Sequence, residues 1–182
     1  MRLTTLIRLW LWVTLMAIAA FVVLVVLEQR LRAATGFGTA DLQAARTAMD
    51  YKRAFAAWIA REHSGTAGFS LGFDYLFMPL YAMSFYFSAM IAREAFTPRR
   101  GLWRRVMDYL GFVPLLGAIA DAVENALEFS MMTGGATDGT ASVAFMASSV
   151  KWTCIYVGLG LLLAGIVGAI KLRLPKKDDE KV

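Results

Sequence analysis

The sequence predicts an all-α integral membrane protein: an antiparallel four-helix bundle with an amphipathic helix in its extracytoplasmic first loop. Three observations predict it. The 182 residues are 58% apolar and 18% charged, against roughly 45–50% and about 25% in a soluble domain. Apolar runs cover about 9–27, 69–92, 110–132 and 148–170, close to the roughly 20 residues a helix needs to cross hydrocarbon. Lys and Arg collect in short segments beside these runs, the pattern that orients membrane helices. The whole chain, 1–182, reads as a single membrane domain.

The first run, Leu9 to Leu27, is interrupted only by Thr14. Arg2 and Arg8 in front and Ala17-Ile18-Ala19 imitate a signal peptide, but the strongly apolar Val22 to Leu27 follow. An uncleaved anchor helix is therefore expected. Trp10 and Trp12 fall where an interfacial aromatic belt belongs.

The first connector is polar and glycine-punctuated. Thr39 or Asp41 can cap a helix over about 40–62, with Leu42, Ala45, Met49, Ala56 and Ile59 as one apolar stripe beside Phe55 and Trp58. Such a helix lies on the membrane or covers the mouth of the bundle. The second span is rich in aromatics: Phe73, Tyr75, Phe77, Tyr81, Phe85, Tyr86 and Phe87. They suit an apolar substrate, or ordinary packing and lipid contact. The third span is expected to bend at Pro114. On the fourth, Gly160, Ala164 and Gly168 present small residues for close helix approach, within the bundle or between copies in an oligomer.

Orientation follows the basic residues. The amino terminus, the second connector (Arg93, Arg99, Arg100, Arg104, Arg105) and the tail over 171–182 (Lys171, Arg173, Lys176, Lys177, Lys181) are basic, and the third connector has no Lys or Arg. The first connector carries six and counts against the scheme. Three segments against one place both termini of this multi-pass chain in the cytoplasm. The net charge of +5 then reads as a preference for anionic lipid headgroups in the bilayer, with no nucleic-acid partner.

Several functions lack their residues. Cys154 is the only cysteine and His63 the only histidine, which excludes an internal disulfide, a soft-ligand metal cluster and a haem pair. Cys154 reads as a small buried hydrophobe. Gly68-Phe69-Ser70-Leu71-Gly72 matches the hydrolase elbow, with His63 and Asp74 nearby. The elbow requires a strand-to-helix turn on a sheet, and no sheet is expected.

The third span carries the functional signal. Asp121, Glu124, Asn125 and Glu128 follow at steps of three and four, on one helical face. A central charge costs about 2.5–3.5 kcal/mol in an inserted helix, so three acids cost roughly 8–10 without compensation. Asp74, Met78, Tyr81, Phe85 and Ser88 form a facing stripe on the second span, and Lys151, Cys154 and Gly158 on the fourth. At about 1.5 Å per residue, Asp74, Glu128 and Lys151 fall near the outer surface, Glu124 and Asn125 deeper, and Asp121 and Tyr81 near the midplane.

Carboxylate and amide oxygens suit Na⁺, Mg²⁺ or Ca²⁺, with Asp121, Glu124 and Asn125 as ligands, and a deep acid can bind a proton. Beyond such a hard cation the sequence fixes no cofactor. A purely structural arrangement has Lys151 paired with Glu128, Asp74 capping the second span and Asp121 bonded to Tyr81.

Asp74-Tyr75-Leu76-Phe77 and the Asp121-to-Asn125 element resemble a group of small bacterial four-helix inner-membrane proteins with Asp-x-x-Glu-Asn in the third span. The loop helix near Trp58 and the Lys opening the last span extend the resemblance over most of the chain. It implies the architecture and a bacterial inner membrane, and no activity. Three functions stay open. The first is an intramembrane site for a cation, proton or small polar ligand, in transport or sensing. The second is a membrane enzyme acting on a lipid or isoprenoid by carboxylate acid/base chemistry. The third is an accessory subunit of a membrane complex. A lipid enzyme needs a lateral opening, a transporter needs polar groups continuing inward, and an accessory subunit needs every acid paired.

Overall fold

The computed structural model describes residues 2–96 and 101–173. Arg99, Arg100, Lys176, Lys177 and Lys181 of the basic segments lie outside the described residues. The described chain is helical: α1 (Leu3–Thr35), a 3-10 turn (Thr39–Ala44), α2 (Ala48–Ala60), α3 (Ser64–Phe96), α4 (Leu102–Gly134) and α5 (Asp138–Arg173). Four of these, α1, α3, α4 and α5, are long and apolar enough to cross a membrane. Each runs several residues past its apolar stretch, because a helix continues until its backbone is capped. For α1 the stop is Gly36, left-handed at φ +84°, whose N–H returns to the Arg32 carbonyl at 2.8 Å.

Helix α3 is central: it packs along α1, α4 and α5, while α4 and α5 pack along each other. Helix α1 lies against α3 and has no extended packing with α4 or α5. Hydropathy mirrors this placement. The most apolar window of α1 averages 2.7 and is 17% buried, whereas that of α3 averages 1.4 and is 50% buried. The helix with the most outward-facing surface is the most apolar, and the helix facing other helices carries more polar residues.

Small residues set the α3–α5 approach, though not those expected. The buried face of α5 holds Gly158, Gly165 and Gly168. Gly165 lies against the Ser88 backbone and Gly168 against Ala92 and Ala95, while Gly160 has open space around it. The stripe Gly160, Ala164, Gly168 is thus corrected to one shared only at Gly168. Steps of four drift around a 3.6-residue helix, so Gly160 ends on the exposed side.

The loop helix also differs. A single helix over about 40–62 is replaced by the 3-10 turn and α2, split at Ala45–Thr47. Thr47, rather than Thr39 or Asp41, caps α2: its hydroxyl accepts from the Asp50 N–H at 3.3 Å, and Asp50 accepts from the Thr47 N–H at 3.0 Å. Asp41 instead accepts from the Gly38 N–H ahead of the 3-10 turn, at 2.8 Å. The break resets the helical phase. Met49 and Ile59 of the expected stripe are 58% and 66% exposed, and the buried face is Ala48, Tyr51, Ala54, Phe55 and Trp58. With Leu31, Leu42 and Met131 this face forms a core at one end of the bundle; Leu6, Ile7, Trp10, Ile91 and Ala169 form another at the end bearing Leu3 and Leu172.

Hydrogen bonds from Thr47 and from the Arg46 and Thr47 amides hold the Asp50 carboxyl below its ordinary 3.8. A depressed carboxyl stabilises the fold above its unfolded pKa, and that contribution fades as pH falls through the folded value. Asp50 is expected to titrate below 3.8 in an NMR pH series, and below the value it shows in Thr47→Ala; an unshifted midpoint would argue against the cap.

Trp10 is also corrected. It is 7% exposed and donates to the Ser88 hydroxyl at 2.8 Å, so it joins α1 to α3 rather than sitting in a belt; Trp12 is 68% exposed. Thr14, the lone polar interruption of the first run, hydrogen-bonds Ser84 at 2.7 Å.

Candidate functional site

The stripe on α4 is buried as one face. Asp121, Glu124, Asn125 and Glu128 are 3%, 1%, 3% and 2% exposed, and Lys151 on α5 is 3% exposed. Helix α3 contributes Asp74 and Tyr81. Steps of three and four turn all four α4 side chains toward α3 and α5, the two helices packed on it.

Lys151 is the bridge. Its Nζ lies 3.2 Å from Asp121 Oδ1 and 2.5 Å from Glu124 Oε2. The Tyr81 hydroxyl donates to Asp121 Oδ2 at 3.1 Å. Asn125 Nδ2 donates to Asp74 Oδ2 at 2.8 Å and to the Leu71 carbonyl at 3.3 Å. The Tyr81–Asp121 contact thus matches the expected one, and two other expected contacts do not form. Lys151 reaches Asp121 and Glu124 rather than Glu128, which lies one turn further along α4. Asp74 caps nothing, because α3 begins at Ser64; its carboxylate instead receives the Asn125 amide.

Glu128 is left over. Its Oε1 is buried without a hydrogen-bond partner among the described residues, whereas Glu124 has the Ser148 hydroxyl beside it. A carboxyl removed from water without a partner costs several kcal/mol in order of magnitude. Of the four carboxyls here, Asp121 and Glu124 lie against the Lys151 ammonium.

The residues expected as metal ligands are engaged here with Lys151 and Asp74. Among the described residues no three His, Cys, Asp or Glu side chains are grouped to hold a metal ion. The Lys151 ammonium occupies the place between Asp121 and Glu124, and the Asn125 amide is committed to Asp74. The hydrolase-like motif lies inside α3, so Ser70 is a helical residue with no strand-to-helix turn to present it. Cys154 is buried on α5, and it packs so closely on Gly117 that a Cβ there would lie 2.7 Å from its own.

Beside the cluster is a cavity of about 640 Å³. Asp74, Tyr81, Asp121, Asn125, Glu128 and Lys151 line one part of it, and apolar residues of α1, α3 and α5 line most of the rest. Among the latter, Ile18 and Phe21 on α1 are 54% and 53% exposed, and Trp152 and Leu159 on α5 are 41% and 44% exposed. The cavity therefore opens sideways, between α1 and α5.

Several wall residues were not singled out from the sequence: Phe21, Glu28, Ser84 and Ile155. Ser84 had a usable signal, since it follows Tyr81 by three on the same stripe and faces Thr14. Glu28 had a weaker one, as the acid that ends the first apolar run; it accepts from the Thr39 hydroxyl at 3.1 Å and the Ala40 N–H at 3.2 Å. The α1 wall had none, because every position of an apolar run looks alike. The family models, curated proteins and solved structures compared with the chain give no match.

Proposed function

We propose that this chain is a multi-pass protein of a bacterial inner membrane, an antiparallel bundle with both termini cytoplasmic and α2 on the opposite side, that binds a polar ligand group within the membrane at the carboxylate–lysine cluster. The observation that carries this reading is Glu128: a side chain 2% exposed, lining a cavity, with an oxygen that has no hydrogen-bond partner among the described residues. Buried ionisable groups in a membrane mark functional sites by default.

A binding or sensing role is favoured over passage through the bundle, because Leu6, Ile7, Trp10, Ile91 and Ala169 close the end bearing Leu3 and Leu172. The unpaired Glu128 weighs against an accessory subunit whose acids serve only as glue. The sideways opening supports a second reading, an enzyme in which Glu128 moves a proton to or from a lipid group.

The test is the thermal stability of purified wild type and Glu128→Gln, across pH and with Na⁺, Mg²⁺ or Ca²⁺. A residue kept for a ligand is a cost when the ligand is absent, so Glu128→Gln is expected to be as stable as wild type or more so, within about 1–3 kcal/mol. Loss of folding at every pH would make Glu128 structural and end the ligand reading.

A further inference from the structure

Resting on the reading of the cluster as a ligand site, we propose that its ligand is a long-chain amphiphile whose polar end donates hydrogen bonds, an alkylammonium or a long-chain alcohol, entering sideways from the bilayer between α1 and α5.

The head is set by what the cluster lacks. Glu128 Oε1, on the cavity wall, is an acceptor without a donor among the described residues, and the Lys151 ammonium already spans two other carboxylates. A donating head supplies the missing protons. A phosphate or sulfate head would bring further negative charge against four carboxyls in a site of low dielectric.

The tail is set by the wall. From the cluster the cavity continues along Ile18, Phe21 and Val25 of α1 and Ile155, Leu159 and Leu162 of α5. From Lys151 to Leu162 is about 16 Å along a helix axis, at about 1.5 Å per residue. A small hydrophilic ligand would leave that length of apolar wall uncovered. The volume of about 640 Å³ falls within the roughly 300–1,000 Å³ of ordinary ligand sites.

The route is set by the packing. At the α2 end the Trp152 indole N–H donates to Gln43 Oε1 at 3.1 Å, and Glu28 ties down Thr39 and Ala40, so the 3-10 turn covers the cluster from that side. At the opposite end the Leu6, Ile7 and Ala169 core closes the bundle. Between these ends α1 and α5 do not pack along each other, and the exposed residues on both edges of the gap border the cavity.

The experiment uses the full chain in phosphatidylcholine nanodiscs, with hexadecylamine, hexadecanol, hexadecyl phosphate and butylamine as probes and thermal unfolding as readout. A donor-headed long chain is expected to raise the midpoint by roughly 5–10 °C at about a hundredfold excess over its Kd. Butylamine and hexadecyl phosphate are expected to leave it unchanged. Ile18→Trp, which fills the gap without touching the cluster, is expected to keep the unliganded midpoint and lose the shift. An equal shift with butylamine overturns the amphiphile and leaves the ligand site standing. An equal shift with hexadecyl phosphate overturns the donating head. No shift with either donor-headed chain overturns the inference, and the ligand-site reading is then decided by Glu128→Gln, which needs no probe.

Discussion

Lys151→Met is expected to destabilise the fold by about 3–5 kcal/mol, the usual cost of removing one partner of a buried ion pair. Against a typical total of about 5–15 kcal/mol, that is a large fraction of the stability. Lys151 is the one cation within 4 Å of Asp121 and Glu124 among the described residues, and both acids are almost wholly buried. Without it, two carboxylates face each other across the space its ammonium filled. Truncating a single acid leaves the other in place, so Asp121→Asn or Glu124→Gln is expected to cost less. The decisive measurement is rescue. Adding Asp121→Asn and Glu124→Gln to Lys151→Met removes the uncompensated charge and should recover most of the lost unfolding midpoint. A stable single variant would mean that Lys151 compensates nothing. A triple variant no better than the single would place its role in packing.

Gly165→Leu is expected to prevent α3 and α5 from docking, with Gly165→Ala already costing about 1–3 kcal/mol as overpacking. A Cβ at Gly165 would lie 2.7 Å from Ser88 Cβ, 2.8 Å from its Cα and 3.0 Å from its carbonyl oxygen. Two of those atoms are backbone in a central helix, which no rotamer change can move. The displacement would spread, because Ser88 also receives the Trp10 indole from α1. Gly160→Ala is the control: with nothing within 4 Å of its added Cβ, it is expected to be neutral or to gain up to about 1 kcal/mol from helix propensity. Unfolding midpoints of the three variants check the order. Equal losses at Gly160 and Gly165 would contradict the α3–α5 interface.

Much of this protein was legible before any coordinates. Four long apolar helices follow from four apolar runs, since hydropathy depends on local composition alone. The polar face of α4 follows from spacing, because a helix turns residues three and four apart onto one side. The facing stripe from Met78 to Ser88 was legible for the same reason. Tyr81 and Asp121 could be paired across helices because both stripes placed them at similar depth.

What sequence could not decide was everything that depends on which helices are neighbours and how they are rotated. The choice of Asp121 and Glu124 over Glu128 as partners of Lys151 is a matter of register between α4 and α5, set by close contacts such as Gly117 against Cys154. The break at Ala45–Thr47 rotated α2 and exposed Met49 and Ile59, since a few non-helical residues erase the phase on which a stripe depends. The gap between α1 and α5 has no sequence signature, because an apolar side chain facing lipid, a neighbour or a cavity has the same hydropathy. Sequence alone determined the four long apolar helices and the polar face of α4. Only the tertiary structure decided which acid is left without a partner and that the cavity beside it opens sideways, because both are relations between helices that no single segment encodes.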